Sequence, residues 1–246
     1  KEADLVVGNL EGPISSRGTK LGSIYSFRAD PRAVAGLSSA PVGVVSLANN
    51  HVWDYGREAL SETLDILKTA GIDYIGAGVD YVEAHQPVIR DVKGTKIAFL
   101  GYTNLVPVGI TGEKSAPVVA FLDLKQVVPD IARAKELADL VVVSFHWGDE
   151  YETKHTRSQE EIAHTVIDAG ADLVIGHHPH VGQEIEEYHG GYIAYSLGNF
   201  VFDQNFSADT RTGLILEVTL KNKKIDQVES QRIKFTSTYQ PVLSSQ

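Results

Sequence analysis

The sequence predicts an α/β fold in which two packed, largely mixed β-sheets are flanked by helices. Three observations lead there. Apolar runs such as LVVV from Leu140 and LVI from Leu173 lack strict alternation, as expected of strands buried on both faces of a layered sheet. Strand and helix patterns alternate through most of the chain. From Gln183 onward the texture changes to short apolar stretches separated by turn residues, so antiparallel strands are expected to complete the second sheet. A chain of 246 residues, 43% of them hydrophobic, is long enough to bury a sizeable core, and a single domain over residues 1–246 is expected.

Taken in order, Asp4–Gly8 reads as a strand, Pro31–Ser38 as a short helix and Val42–Leu47 as a second strand. Tyr55–Ala70 reads as a helix, because Leu60, Leu64 and Leu67 fall on one face and Gly71 supplies a stop. Ile72–Ile75 follows as a strand. Val88–Val92 and Lys96–Tyr102 flank Lys93-Gly94-Thr95, a hairpin signal. Leu124–Ala138 is helical in pattern despite Pro129, Leu140–His146 is a strand, Ser158–Ala169 a helix and Leu173–Gly176 a strand. Tyr188-His189-Gly190-Gly191 and Lys221-Asn222-Lys223-Lys224 mark turns between the later strands.

Composition removes several classes of function. Lys+Arg number 22 against 32 Asp+Glu, and a net charge of −10 argues against a nucleic-acid surface. Cysteine is absent, so disulfides, thiolate ligands and a cysteine nucleophile are excluded, and any metal must be held by nitrogen and oxygen. No run approaches the roughly 18 apolar residues of a membrane span. Methionine is absent even at position 1, so the sequence is read as a fragment or processed form of a longer protein.

The tetrapeptide ADLV occurs three times, before Glu11, before His146 and before His178 and His180. By itself it carries no chemistry: a helix ends, the chain turns at Asp and a buried strand begins. The polar residues at the end of each run are informative, because ligands in open α/β sheets gather beyond the carboxyl ends of strands. In GHHPHV, His178 and His180 are two apart, so an extended segment sends both imidazoles to one face, where they could hold one metal or one each of a pair. His177 is expected to point elsewhere. Asn50 and His51 end the apolar run VGVVSLA; Asn50 offers a carbonyl oxygen to a metal, and His51, leaving in another direction, is suited to move a proton. His146 ends SFHWG as a candidate imidazole ligand. Glu11 ends GNLE, with Asn9 two residues earlier on the same side as a candidate substrate contact, and a bridging carboxylate is what two cations roughly 3.5–4 Å apart require. Arg28, in SFRADP, is a candidate for binding the anionic part of a substrate. P-loop and G-x-S-x-G patterns are both missing.

NLEGPIS, SLANNHVWDYG, HWGDEY, GHHPHV and YSLGNFVFDQ together resemble the bacterial capsule synthesis CapA family, associated with poly-γ-glutamate capsules and similar to the calcineurin-like metallophosphoesterases. The resemblance runs from Asp4 to about Asp203. It implies a metallophosphoesterase-like sandwich binding two divalent metal ions, with Mn, Fe or Zn matching the ligand types. On that template Glu11, Asn50, His146, His178 and His180 are metal ligands and His51 is the catalytic acid/base. In metallophosphoesterases the bridging residue is normally Asp, where this chain has Glu11, and the family's first Gly-Asp motif is expected upstream of Asp4. The resemblance further implies an extracytoplasmic, membrane-anchored protein whose anchor precedes this sequence. Its expected partners are an anionic polymer or small anionic substrate and a membrane biosynthesis complex. Three activities fit: a metal-dependent hydrolase of a phosphoester or amide, a metal-assisted epimerase, or a non-enzymatic subunit for polymer export or anchoring.

Overall fold

The computed structural model describes residues 3–21, 24–106 and 116–244. The chain begins with β1 (Val6–Asn9), passes through a 3-10 turn into α1 (Val34–Ser39), and continues as β2 (Val42–Ser46), α2 (Gly56–Thr69) and β3 (Asp73–Ile75). β4 (Ala77–Gly78) and α3 (Tyr81–His85) precede the pair β5 (Val88–Val92) and β6 (Thr95–Thr103), with β7 (Val118–Val119) beyond. Next come α4 (Leu124–Leu137), β8 (Leu140–His146), α5 (Arg157–Asp168) and β9 (Leu173–His177). The rest is strand: β10 (Ile185–Tyr188), β11 (Gly191–Ala194), β12 (Thr212–Lys221), β13 (Lys224–Phe235) and β14 (Pro241–Leu243).

Local chemistry accounts for many of these boundaries. Leu60, Leu64 and Leu67 form the buried stripe of α2. Asp123 caps α4 through Lys125 N, and Pro129 is accommodated within that helix. A capping box of Thr156 and Gln159 opens α5, each side chain satisfying a backbone N–H of the other. Hairpins β5–β6, β10–β11 and β12–β13 each turn on two residues with positive φ, namely Lys93-Gly94, His189-Gly190 and Asn222-Lys223. That geometry matches the right-handed twist of the strands it joins.

β1, β2 and β3 form a parallel three-stranded sheet. A six-stranded sheet has the order β10-β11-β9-β8-β6-β5, with β11, β9, β8 and β6 parallel and antiparallel strands at both edges. The two sheets face each other across a core of Val44 and Ile75 from the first and Phe99, Leu140, Val142 and Leu173 from the second. Helix α2 covers the outer face of the small sheet, and α4 and α5 cover the outer face of the large one.

β8 shows this layering residue by residue. Val141, Val143 and Phe145 pack toward the helices, while Leu140 and Val142 pack toward the other sheet. The period of two then puts Ser144 and His146 on the inter-sheet side. Likewise Leu5 and Val7 pack between the sheets, so Asn9 follows on that side with Glu11 just past the strand end.

The expected α/β sandwich is thus the one observed, with two differences of detail. The smaller sheet is purely parallel. Only β10–β11 extends the large sheet, whereas β12–β14 form a separate antiparallel sheet, because β10 already occupies the edge beyond β11. That third sheet still lays Leu216, Val218, Leu220 and Ile225 against the inter-sheet core. Among the described residues no helix is long and apolar enough to cross a membrane.

Candidate metal centre

Glu11, Asn50, His51, His146, His178 and His180 meet at one rim, beyond the carboxyl ends of β1, β2, β8 and β9. Glu11 Oε1 lies 3.8 Å from His146 Nε2 and 3.7 Å from His180 Nε2. His146 Nε2 lies 2.8 Å from Asn50 Oδ1, and the rings of His146 and His178 are 5.0 Å apart. Thr103, the last residue of β6, donates to the His146 carbonyl at 2.9 Å and fixes the end of β8.

The tautomer of His180 follows from its neighbours. Asn199 donates through Nδ2 to Thr210 O (3.0 Å) and Gln204 Oε1 (3.2 Å), which turns its Oδ1 toward His180 Nδ1 at 2.9 Å. His180 therefore carries its proton on Nδ1 and presents a lone pair on Nε2 toward the Glu11 carboxylate. Two electron-rich atoms face each other 3.7 Å apart.

His178 and His180 do converge, with ring centroids 5.9 Å apart, but not by extended geometry. Their φ angles are 101° and 60°, so the backbone leaves β9 in a left-handed bend that breaks strand alternation. His177 is the residue that keeps the alternation. It is the register partner of His146, closer to the cluster than an extended segment suggests. Such conformations persist for non-glycine residues only where the surroundings enforce them. Glu150, in the loop after β8, comes to the same place: one carboxylate oxygen and one nitrogen each of His178 and His180 lie within 4.8 Å of one another.

His51 leaves the rim differently. Its Nδ1 is 2.9 Å from Asp54 Oδ2, which also accepts from Phe27 N at 2.7 Å, so His51 Nδ1–H donates to the carboxylate. The imidazole packs on Phe27 at 4.3 Å, and Phe27 in turn meets Phe202, which packs on His180. Asn49, fully buried, holds the two loops together: its Oδ1 accepts from His51 N and Val52 N, and its Nδ2 donates to Leu10 O. Asn9, expected to meet substrate, spends its amide inside the protein, accepting from Asn49 Nδ2 and donating to Glu11 Oε2, both at 3.3 Å. Arg28 lines a cleft of about 420 Å³ together with Glu11 and Phe27. Its guanidinium stacks 4.0 Å over the Tyr55 ring and donates to Arg17 O at 2.9 Å.

Electrostatically the cluster is uncompensated. Burial raises the Glu11 carboxyl, against the lowering influence of His180 and His51. Burial, aided by His178, His177 and the other imidazoles, pushes His146 well below the usual histidine value. His178 falls to about 4 for the same reasons, and His177 to about 4 through burial. Neutral imidazoles are the form that ligates metals. Glu11 Oε1, His146 Nδ1 and His178 Nδ1 are buried without any hydrogen-bond partner. Gaps of 3.7–3.8 Å are too long for hydrogen bonds yet suit donors that each reach a shared cation at about 2.0–2.2 Å. The residues present fit a divalent metal.

The bacterial capsule synthesis protein PGA_cap family matches residues 1–204. The chain belongs to that family. Capsule biosynthesis protein CapA of Bacillus anthracis is 37% identical over 87% of this chain and 54% of its own length. PGA biosynthesis protein CapA of Bacillus subtilis is 35% identical over 93% of this chain and 61% of its own length. This PGA_cap chain therefore spans only part, little more than half, of these relatives. The 5'-nucleotidase precursor of Thermus thermophilus superimposes with a TM-score of 0.52 at 14% identity, over 96% of this chain and 55% of that one. The fold is metallophosphoesterase-like.

Sequence reasoning did not single out Asn49, Asp54, Asn199 or Glu150. Each lies within or beside a motif, but its importance is a hydrogen bond or approach made across the fold. Only Asp54, three residues after His51, left a local trace.

Proposed function

We propose that this PGA_cap chain is the metal-dependent hydrolase part of a capsule biosynthesis protein, acting on a phosphoester or amide bond of an anionic substrate. The carrying observation is the Glu11 carboxylate facing the His180 Nε2 lone pair beside His146, an arrangement that calls for a cation. Glu11, Asn50, His146, His178 and His180 would hold two divalent ions. When bound, such ions supply Lewis acidity and lower the pKa of water.

The chain's own residues do the rest. His51, held by Asp54 through Nδ1, turns its other nitrogen to the substrate and gives a proton to the leaving group. Asn49 sets His51 against Glu11 by tying the loop after β2 to the end of β1. Arg28, which lines the same cleft as Glu11, offers a guanidinium to the substrate's anionic group. The names of the Bacillus relatives, capsule biosynthesis protein CapA and PGA biosynthesis protein CapA, support a role in capsule biosynthesis. An extracytoplasmic location, a membrane anchor outside these residues and a membrane biosynthesis complex as partner belong to the same proposal.

The test separates proton transfer from metal binding. His51→Ala is expected to keep its metal and lose about 10²–10⁴-fold in turnover, whereas His178→Ala or His180→Ala loses metal and turnover together. Metal quantification beside phosphodiester, amide and epimerisation assays reads this out. Metal loss in His51→Ala equal to that in His180→Ala makes His51 a ligand. Turnover only in the epimerisation assay moves the reaction to proton transfer beside a carbonyl, and a metal-free, inactive parent leaves the export or anchoring role.

A further inference from the structure

Glu150 has no part in the five-residue ligand set above. It is exposed, yet its carboxylate comes within 4.8 Å of nitrogens of both His178 and His180. The loop that carries it is tied to the histidine segment at both ends: Trp147 N donates to His177 O at 3.1 Å and Tyr151 N to Pro179 O at 2.8 Å. Between those bonds the chain turns tightly, with φ of 86° at Gly148 and 67° at Tyr151. A Cβ at Gly148 would stand 2.7 Å from Gln159 Oε1, so the turn is closed against α5. The loop thus brings Glu150 beside the two histidines.

His178 supplies the independent sign. It is 8% exposed, and its Nδ1 has no hydrogen-bond partner. A buried nitrogen left without a partner is costly unless something satisfies it. Beside it, His180 Nε2 presents a lone pair. On the inner side stands Glu11, on the outer side Glu150, and no Lys or Arg side chain forms an ion pair with either among the described residues. A second carboxylate here makes the uncompensated negative charge larger. A divalent cation resolves all of it.

We propose that Glu150 is a third donor, with His178 and His180, to a divalent cation on the solvent side of the centre. This rests on the metal-centre reading above and adds to it a carboxylate that gives the outer cation its own acidic ligand. Two imidazoles and a carboxylate suit Zn, Mn or Fe. Exposure of Glu150 also makes this position the one open to exchange with solvent.

The experiment is Mn²⁺ titration of the protein by calorimetry, with stoichiometry from equilibrium dialysis, for the parent, Glu150→Gln and Asp149→Asn. Asp149 is equally exposed and adjacent, so its variant removes the same charge without the contact. Glu150→Gln is expected to lose one equivalent of Mn²⁺ or to bind it at least about 10-fold more weakly. Asp149→Asn is expected to stay within about twofold, as a screened surface charge should. Unchanged binding in Glu150→Gln, or equal weakening in both variants, overturns the assignment of Glu150 alone. A parent that binds no Mn²⁺ overturns the metal centre itself.

Discussion

Gly176 shows how closely the rim is built at the level of one residue. An added Cβ would lie 1.9 Å from Tyr195 O and 2.6 Å from Trp147 Nε1, which donates to that same carbonyl at 3.0 Å. Only glycine lets the indole and the carbonyl close over β9 immediately before the histidines. Gly176→Ala is therefore expected to cost at least about 1–3 kcal/mol in urea denaturation, the range for overpacking a core, and a loss below about 0.5 kcal/mol, typical of plain surface changes, would show that the strand shifts freely. Residues of this kind were only partly legible. His146 could be read from the sequence because it ends an apolar run and strand alternation carries it to the inter-sheet side. Asn199 could not, because its contact with His180 depends on a second hydrogen bond to Thr210 O that no spacing reveals. The left-handed bend at His178 was hidden too: HPH reads as extended, and the tertiary bonds from Trp147 N and Tyr151 N accompany a different backbone path.

At the scale of elements, α5 couples a local signal to the site. Its capping box uses Gln159, and the same side chain donates to Gln183 Oε1 at 3.1 Å and backs the turn at Gly148. Thr156→Ala is expected to cost about 0.5–2 kcal/mol, as helix caps do, measured by urea denaturation at neutral pH. It should also raise hydrogen exchange at Tyr151 N, since the loop before the helix loses its support; a stability loss with unchanged exchange there would uncouple cap and loop. Long elements with a clear period, such as α2 and β8, were legible from sequence because burial repeats along them. The β4–β7 pair was not: each strand has only two residues, and Ala77 and Gly78 find Val119 and Val118 across a long separation. Nor could the pattern after Gln183 say which hairpin would extend the large sheet, because partner choice depends on which edge remains open.

For the whole molecule, the centre lies at the carboxyl ends of strands from both sheets. Glu11 and Asn50 follow strands of the smaller sheet, His146, His178 and His180 come from the end of the larger, and below them Val44, Phe99 and Val142 pack between the sheets. A cation held at the rim would thus tie the two sheets together at that end. Because only the native chain assembles this donor set, Mn²⁺ at 100 times its dissociation constant is expected to add about 2.7 kcal/mol to unfolding stability. Chelation should reverse the gain. His146→Ala should abolish most of it, since that residue links the large sheet to Asn50 and Glu11 of the small one. His51→Ala should retain it, because His51 lies outside the proposed ligand set, packed on Phe27 and turned to the substrate. Denaturation of the parent and both variants, each with Mn²⁺ and with chelator, measures the gain in every case. A parent indifferent to Mn²⁺, or a gain undiminished in His146→Ala, would place the cation elsewhere and leave the sheets held by their apolar core alone.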